Sequence, residues 1–253
     1  MKSGPVHFDA SGSGEIPIIC IHGWACEGGQ FLELSRALGP QFRVYRPDLP
    51  GHGRTPLGTF VPSYDNYTSF IVDFALAHGL ENPVLLGHSM GGVLALMAAA
   101  THRLQPRAII NLDGSLPPAQ QTLAGLAMVR SWLDKPDFRE RLAAALRESF
   151  FLPHERDARS EAIIQQMCSA PEAVLRFLPE HFDSLNATHI LPKVQVPTLY
   201  IGADHPRFDV DKVALAQLRL EHFAGSGHFL HLYALPQVAA SVEEFLRSAP
   251  VLA

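Results

Sequence analysis

The chain has 253 residues, 47% of them hydrophobic and 18% charged, with a formal net charge of −5. That length holds one globular domain, or one domain with a large insertion, and the apolar share argues against disorder. Acids and bases are mixed and no Lys/Arg run occurs, so nucleic acid is not an expected partner, and no apolar stretch reaches the roughly 18 residues of a membrane span.

The first residues, M-K-S-G-P-V-H-F, lack the apolar core of a signal peptide. Cys20, Cys26 and Cys168 are odd in number and show no metal-ligand spacing, which points to a reducing, cytoplasmic setting. The 13 histidines form no H-x3-H or H-E-x-x-H pattern, so neither metal nor organic cofactor is expected.

In chain order, V-H-F (6–8) is the only early strand candidate, and I-P-I-I-C-I-H (16–22) reads as a buried strand. A helix is predicted over 27–38, with Phe31, Leu34 and Leu38 on one face. F-R-V-Y-R-P-D-L (42–49) is a strand stopped by P-G-H-G (50–53). A helix follows at 64–78, a strand at 83–87 and a strongly apolar helix at 90–101. Strands are predicted at 107–113, 197–202 and 218–223, and a last helix at 235–247. Apolar strands alternating with helices imply an α/β fold with a mostly parallel, doubly wound sheet. The alternation breaks between about 115 and 192, where helices are predicted at 118–133, 136–150, 157–168 and 171–185. The expected organisation is a core of 1–114 and 193–253 with a helical cap, 115–192, inserted between two strands.

G-H-S-M-G-G (87–92) sits at a strand-to-helix junction, where the G-x-S-x-G pattern sets a serine on a sharp turn. Gly87 permits close backbone approach, Gly91 lets the helix start tightly beneath the sheet, and the helix N-terminus offers free N–H groups near Ser89. H-G-W (22–24) follows the first buried strand and should share the same sheet rim. The amides of Trp24 and Met90 are candidates for an oxyanion hole, and the Trp24 ring is a candidate pocket wall. His22 reads as a structural anchor of that loop. G-S-G-H-F (225–229) places His228 on the same rim as the candidate base. His52 lies in a turn, the His88 side chain should point away from the serine, and His181 and His189 belong to the insertion. Asp113 and Asp204, each at a strand end, are both candidates to orient His228. Asp209 reads as the N-cap of a helix over 209–217.

Together, H-G-W, D-L-P-G-H-G (48–53), G-H-S-M-G-G, P-T-L-Y-I-G (197–202) and G-S-G-H-F resemble the α/β-hydrolase fold family, in family order over roughly residues 5–248. The resemblance implies Ser89 as nucleophile, His228 as general base, the Trp24 and Met90 amides as oxyanion hole, and 115–192 as a cap over the site. Two departures stand out. The N-terminus is short for the usual first strand, and Asp204 comes one place early for the family's later acid. Some members place the acid at the end of the earlier strand, where Asp113 stands, and the choice stays open with Asp113 slightly ahead.

The expected reaction is hydrolysis of a small or medium, largely apolar carboxylic ester through an acyl-enzyme. Met128, Trp132, Leu133, Phe150, Phe151, Leu175 and Phe177 are apolar at helical spacing in the insertion. Trp132 and Phe151, with Trp24, are taken as candidate substrate contacts. A second resemblance, to cofactor-free dioxygenases that open quinolone rings, implies a His/Asp base acting on the substrate itself. Receptor-like members of the fold imply ligand binding without turnover. In every reading the partner is a small molecule.

Overall fold

The computed structural model describes residues 5–204 and 215–248. The Asp209 cap falls outside these residues. Seven strands form one sheet in the order β1-β3-β2-β4-β5-β6-β7. Their ranges are β1 Phe8–Ser11, β2 Ile16–Ile21, β3 Phe42–Pro47, β4 Val84–His88, β5 Ala108–Leu112, β6 Thr198–Gly202 and β7 Leu218–His222. Every pairing is parallel except β1 against β3. The early strand therefore exists, shifted to Phe8–Ser11 at the edge of the sheet.

The inner parallel strands β2, β4, β5 and β6 are buried almost throughout because both faces are covered, whereas β7, L-R-L-E-H at the sheet edge, is only partly buried. Successive side chains alternate between two cores. Ile18, Cys20, Val84, Leu86, Ile110 and Leu112 face the core closed by α1 (Leu32–Ala37) and α10 (Leu235–Ser248), through Leu34, Val238, Val242 and Phe245. Ile19, Ile21, Leu85 and Ile109 face α2 (Tyr64–Ala77) and α3 (Met90–Ala100), through Tyr67, Ile71 and Leu94. α1 is shorter than predicted because residues 28–31 form a 3-10 turn instead of its first turn.

The second core continues into 115–192. That segment holds α4 (Gln120–Arg130), α5 (Phe138–Phe150), α6 (Ala158–Cys168), α7 (Glu172–His181) and the one-turn α8 (Ala187–Ile190), with no strand. α5 and α6 are joined by a two-pronged ion pair, Arg147 Nε and Nη2 to Glu161 at 2.6 and 2.7 Å. Asp157 caps α6 by accepting from the Ser160 amide at 2.9 Å. α4 buries only Val129, so it lies across the cavity described below without being sunk into the core. A further one-turn helix, α9 (Leu230–Tyr233), lies between the His228 loop and α10.

Candidate active site

β4 delivers Ser89 and α3 begins at the next residue. The Ser89 backbone has φ 54° and ψ −122°, a conformation of the kind that costs about 1–3 kcal/mol. Its neighbours make the turn possible. A Cβ on Gly87 would stand 2.2 Å from the Gly91 carbonyl oxygen, and one on Gly91 would stand 2.0 Å from that of Ile21. The Ser89 amide donates to Leu112 O at 2.9 Å, tying the turn to β5.

The H-G-W loop lies directly against this turn, since a Cβ on Gly23 would be 3.2 Å from Ser89 Cβ. His22 anchors the loop. Its Nδ1–H donates to Gly23 O at 2.9 Å and its Nε2 accepts from the Leu49 amide at 3.0 Å. Burial pushes the His22 pKa down to about 4, so the ring is neutral in this role. The Trp24 indole donates to Val174 O on α7 at 2.7 Å, and Gln166 on α6 donates to Ala25 O at 3.0 Å. The insertion thus holds the loop that carries the Trp24 amide.

His228 is 2% exposed and Asp113 is fully buried. His228 Nδ1 donates to Asp113 Oδ2 at 2.6 Å. Because the carboxylate accepts, Nδ1 carries the proton and Nε2 is left as the proton acceptor. Asp113 Oδ1 accepts from Tyr200 Oη at 3.3 Å and from the Ala203 amide at 3.1 Å. Asp204 is placed differently. Its Oδ1 accepts from the Gly225 amide at 3.1 Å and its own amide donates to Ser226 O at 2.9 Å. Of the two carboxylates, Asp113 meets the imidazole and Asp204 braces the loop that carries it. The reason is position: Asp113 directly follows β5, which lies beside β4 and its serine, whereas Asp204 follows β6, one strand further out.

Ser89, Met90, Trp24 and His228 all line one cavity of about 550 Å³, roofed by Val129, Leu142, Leu146, Phe150, Met167 and Phe182. The Phe150 ring lies 4.4 Å from that of His228. Phe151 and Trp132 do not line this cavity. Phe151 has an extended backbone just past the end of α5, so its side chain turns away from that of Phe150 and stacks on Phe229 at 5.1 Å. Trp132, in the turn after α4, packs half-buried against the core.

His88 lines the cavity beside the serine, and its Nε2 donates to His228 O at 2.9 Å. Cys26 also lines the cavity, but burial pushes its thiol up to about 12, which leaves it un-ionised. Among the described residues, no group of three or more His, Cys, Asp or Glu is placed to hold a metal ion. No helix among them is long and apolar enough to cross a membrane.

Sequence reasoning misses Tyr200 and Ala203 as donors to Asp113, and Glu155, which grips the His228 loop. For Tyr200 the signal was present in principle, two residues before the end of an apolar strand. For Glu155, an acid in a loop, there was none.

Solved structures of the same architecture include an esterase from Thermogutta terrifontis, with a TM-score of 0.81 and 21% identity over 96% of this chain and 93% of that one. An enol-lactonase from Burkholderia xenovorans LB400 aligns with a TM-score of 0.80 and 18% identity over 96% of both chains. At those identities the likeness is one of fold. In sequence, a pimeloyl-[acyl-carrier protein] methyl ester esterase from Xanthomonas oryzae pv. oryzae (strain MAFF 311018) is 26% identical over 97% of this chain and 100% of its own length. The model of the Alpha/beta hydrolase family matches residues 18–241, from β2 to within α10, and on that match the chain belongs to the alpha/beta hydrolase family.

Proposed function

We propose that the chain is a serine esterase that cleaves small or medium, largely apolar carboxylic esters through an acyl-enzyme. It is an ester hydrolase of the α/β fold; the nucleophile, the triad and the substrate range are our reading. The observation that carries this reading is one cavity shared by Ser89 and His228, with His228 Nδ1 held 2.6 Å from Asp113.

His228 Nε2 takes the Ser89 proton as Oγ attacks the ester carbonyl, and Asp113 stabilises the imidazolium that forms. The oxyanion is held by the amides of Met90, the first residue of α3, and Trp24, next to the glycine packed on Ser89. Each such donor is worth about 2.7–4 kcal/mol in the transition state. His228 then hands the proton to the leaving alcohol, and water repeats the cycle on the acyl-enzyme.

The helical segment 115–192 acts as the cap, and its apolar roof favours an aliphatic or aromatic acyl group without charge. The Xanthomonas relative named for a methyl ester points to methyl and other short alkyl esters as the first substrates to try. Three free cysteines fit a reducing compartment, read here as the cytoplasm.

Ser89→Ala should abolish turnover of p-nitrophenyl butyrate while keeping the melting temperature. A fluorophosphonate should add covalently to Ser89 in the parent protein, read by mass spectrometry. Undiminished turnover in the variant, or no adduct on Ser89, would remove the serine from the mechanism.

A further inference from the structure

Glu155 lies in the insertion, in a 3-10 turn after α5 (Pro153–Glu155), and is 1% exposed. Its carboxylate is spent on backbone amides. Oε1 accepts from Gly227 at 2.8 Å and Oε2 from Leu152 at 2.9 Å. Among the described residues no cation pairs with it. A buried carboxylate is expensive to keep in this way, and its two bonds are of the stronger, charge-assisted kind.

The next amide, that of His228, donates to Phe150 O at 2.8 Å, and His228 O accepts from His88 Nε2 at 2.9 Å. The backbone on both sides of the base is therefore fixed from outside its own loop. The fit at Gly227 is tight, since a Cβ there would stand 2.0 Å from Glu155 Oε2.

We propose that Glu155 is a positioning residue that holds the 225–229 loop so that the His228 imidazole keeps its bond to Asp113 and its place in the cavity shared with Ser89. This deepens the esterase reading above and rests on it. Glu155 touches neither substrate nor reacting atoms; it acts through the main chain of the base.

The test is Glu155→Gln, which keeps the volume but turns an NH₂ group towards one of the two amides. With p-nitrophenyl butyrate, kcat should fall about 10- to 100-fold while KM stays within about twofold, because a misplaced group costs rate more than binding. Fluorophosphonate labelling of Ser89 should slow by a similar factor. The far-downfield proton resonance of the His228–Asp113 bond should move or broaden. Glu161→Gln, which breaks the pair with Arg147 elsewhere in the insertion, should leave all three readouts at parental values. Parental values in Glu155→Gln overturn the proposal, and so does a loss of activity with an unmoved resonance, which marks general destabilisation. If that variant does not fold, amide exchange in the unchanged protein decides. Slow exchange at Gly227 and His228 supports the clamp, and exchange at the rate of an unprotected amide overturns it. A parent protein that fails to label at Ser89 removes the esterase reading instead, while exchange and resonance still report on the clamp.

Discussion

Asp113 is a carboxylate held by three donors at once: the His228 ring, the Tyr200 hydroxyl and the Ala203 amide. Asp113→Asn should therefore cost about 10³–10⁴-fold in kcat, because an amide neither fixes the imidazole tautomer nor stabilises its charged form. Asp204→Asn keeps an oxygen for the Gly225 amide; it should lose no more than about 1 kcal/mol of stability and leave kcat near the parent value. Kinetics and urea midpoints on both variants check this, and equal losses would mean that another group orients the base. Ser89 and His228 were legible as candidates because glycines mark the sharp turns that present them. The acid was not legible, because two aspartates end adjacent strands and only the order of strands in the sheet separates them. Phe150 and Phe151 were equally opaque, since the side of the chain each faces depends on where α5 stops.

Seating α3 under the sheet depends on Gly91, whose added Cβ would meet backbone oxygens of Ile21 at 2.0 Å and His22 at 2.7 Å. Backbone in the middle of a sheet cannot give way, so Gly91→Ala should cost at least about 3 kcal/mol, seen as a lower urea midpoint. Gly125 on α4 is the opposite case, with nothing within 4 Å of an added methyl. Gly125→Ala should add about 0.5–1 kcal/mol of stability through helix propensity alone, seen as a higher urea midpoint. A parental midpoint for Gly91→Ala would contradict the seating of α3. The inner strands β2, β4, β5 and β6 could be read from the chain because each is an apolar run closed by turn residues, and β7 because leucines alternate with charged residues in L-R-L-E-H. β1, with the sequence F-D-A-S, has no such pattern and is a strand only because β3 offers it an edge. The ends of α4, in the insertion, were harder to place, because a helix that buries a single residue leaves a weak periodicity.

At the scale of the whole molecule, three buried histidines contribute to the response to acid. Burial lowers His22 to about 4 and His52 to about 3, and holds His231 well below its ordinary value of 6.5. Unfolded, these rings take up protons near pH 6.5 while the folded rings do not, so the unfolded state binds more protons and stability rises with pH across that gap. In the other direction, their contribution is complete above about pH 6.5 and is lost as pH falls towards 4 for His22 and 3 for His52. At about 1.4 kcal/mol per pKa unit, His22 alone accounts for a few kcal/mol. Urea midpoints taken from about pH 7 down to about pH 4 should fall steadily; a flat profile would mean that the rings are already charged or solvated. The ties from the insertion to the core carry a different consequence. Trp24 reaches Val174, Gln166 reaches Ala25 and Gly227 reaches Glu155, so the insertion and the loops that carry Trp24 and His228 are one hydrogen-bonded frame. A roof transplanted from another esterase would arrive without these partners and disable the centre it was meant to retune. New selectivity in this scaffold has to come from side chains on the inner surfaces of α4 and α5, changed one at a time with the struts left in place.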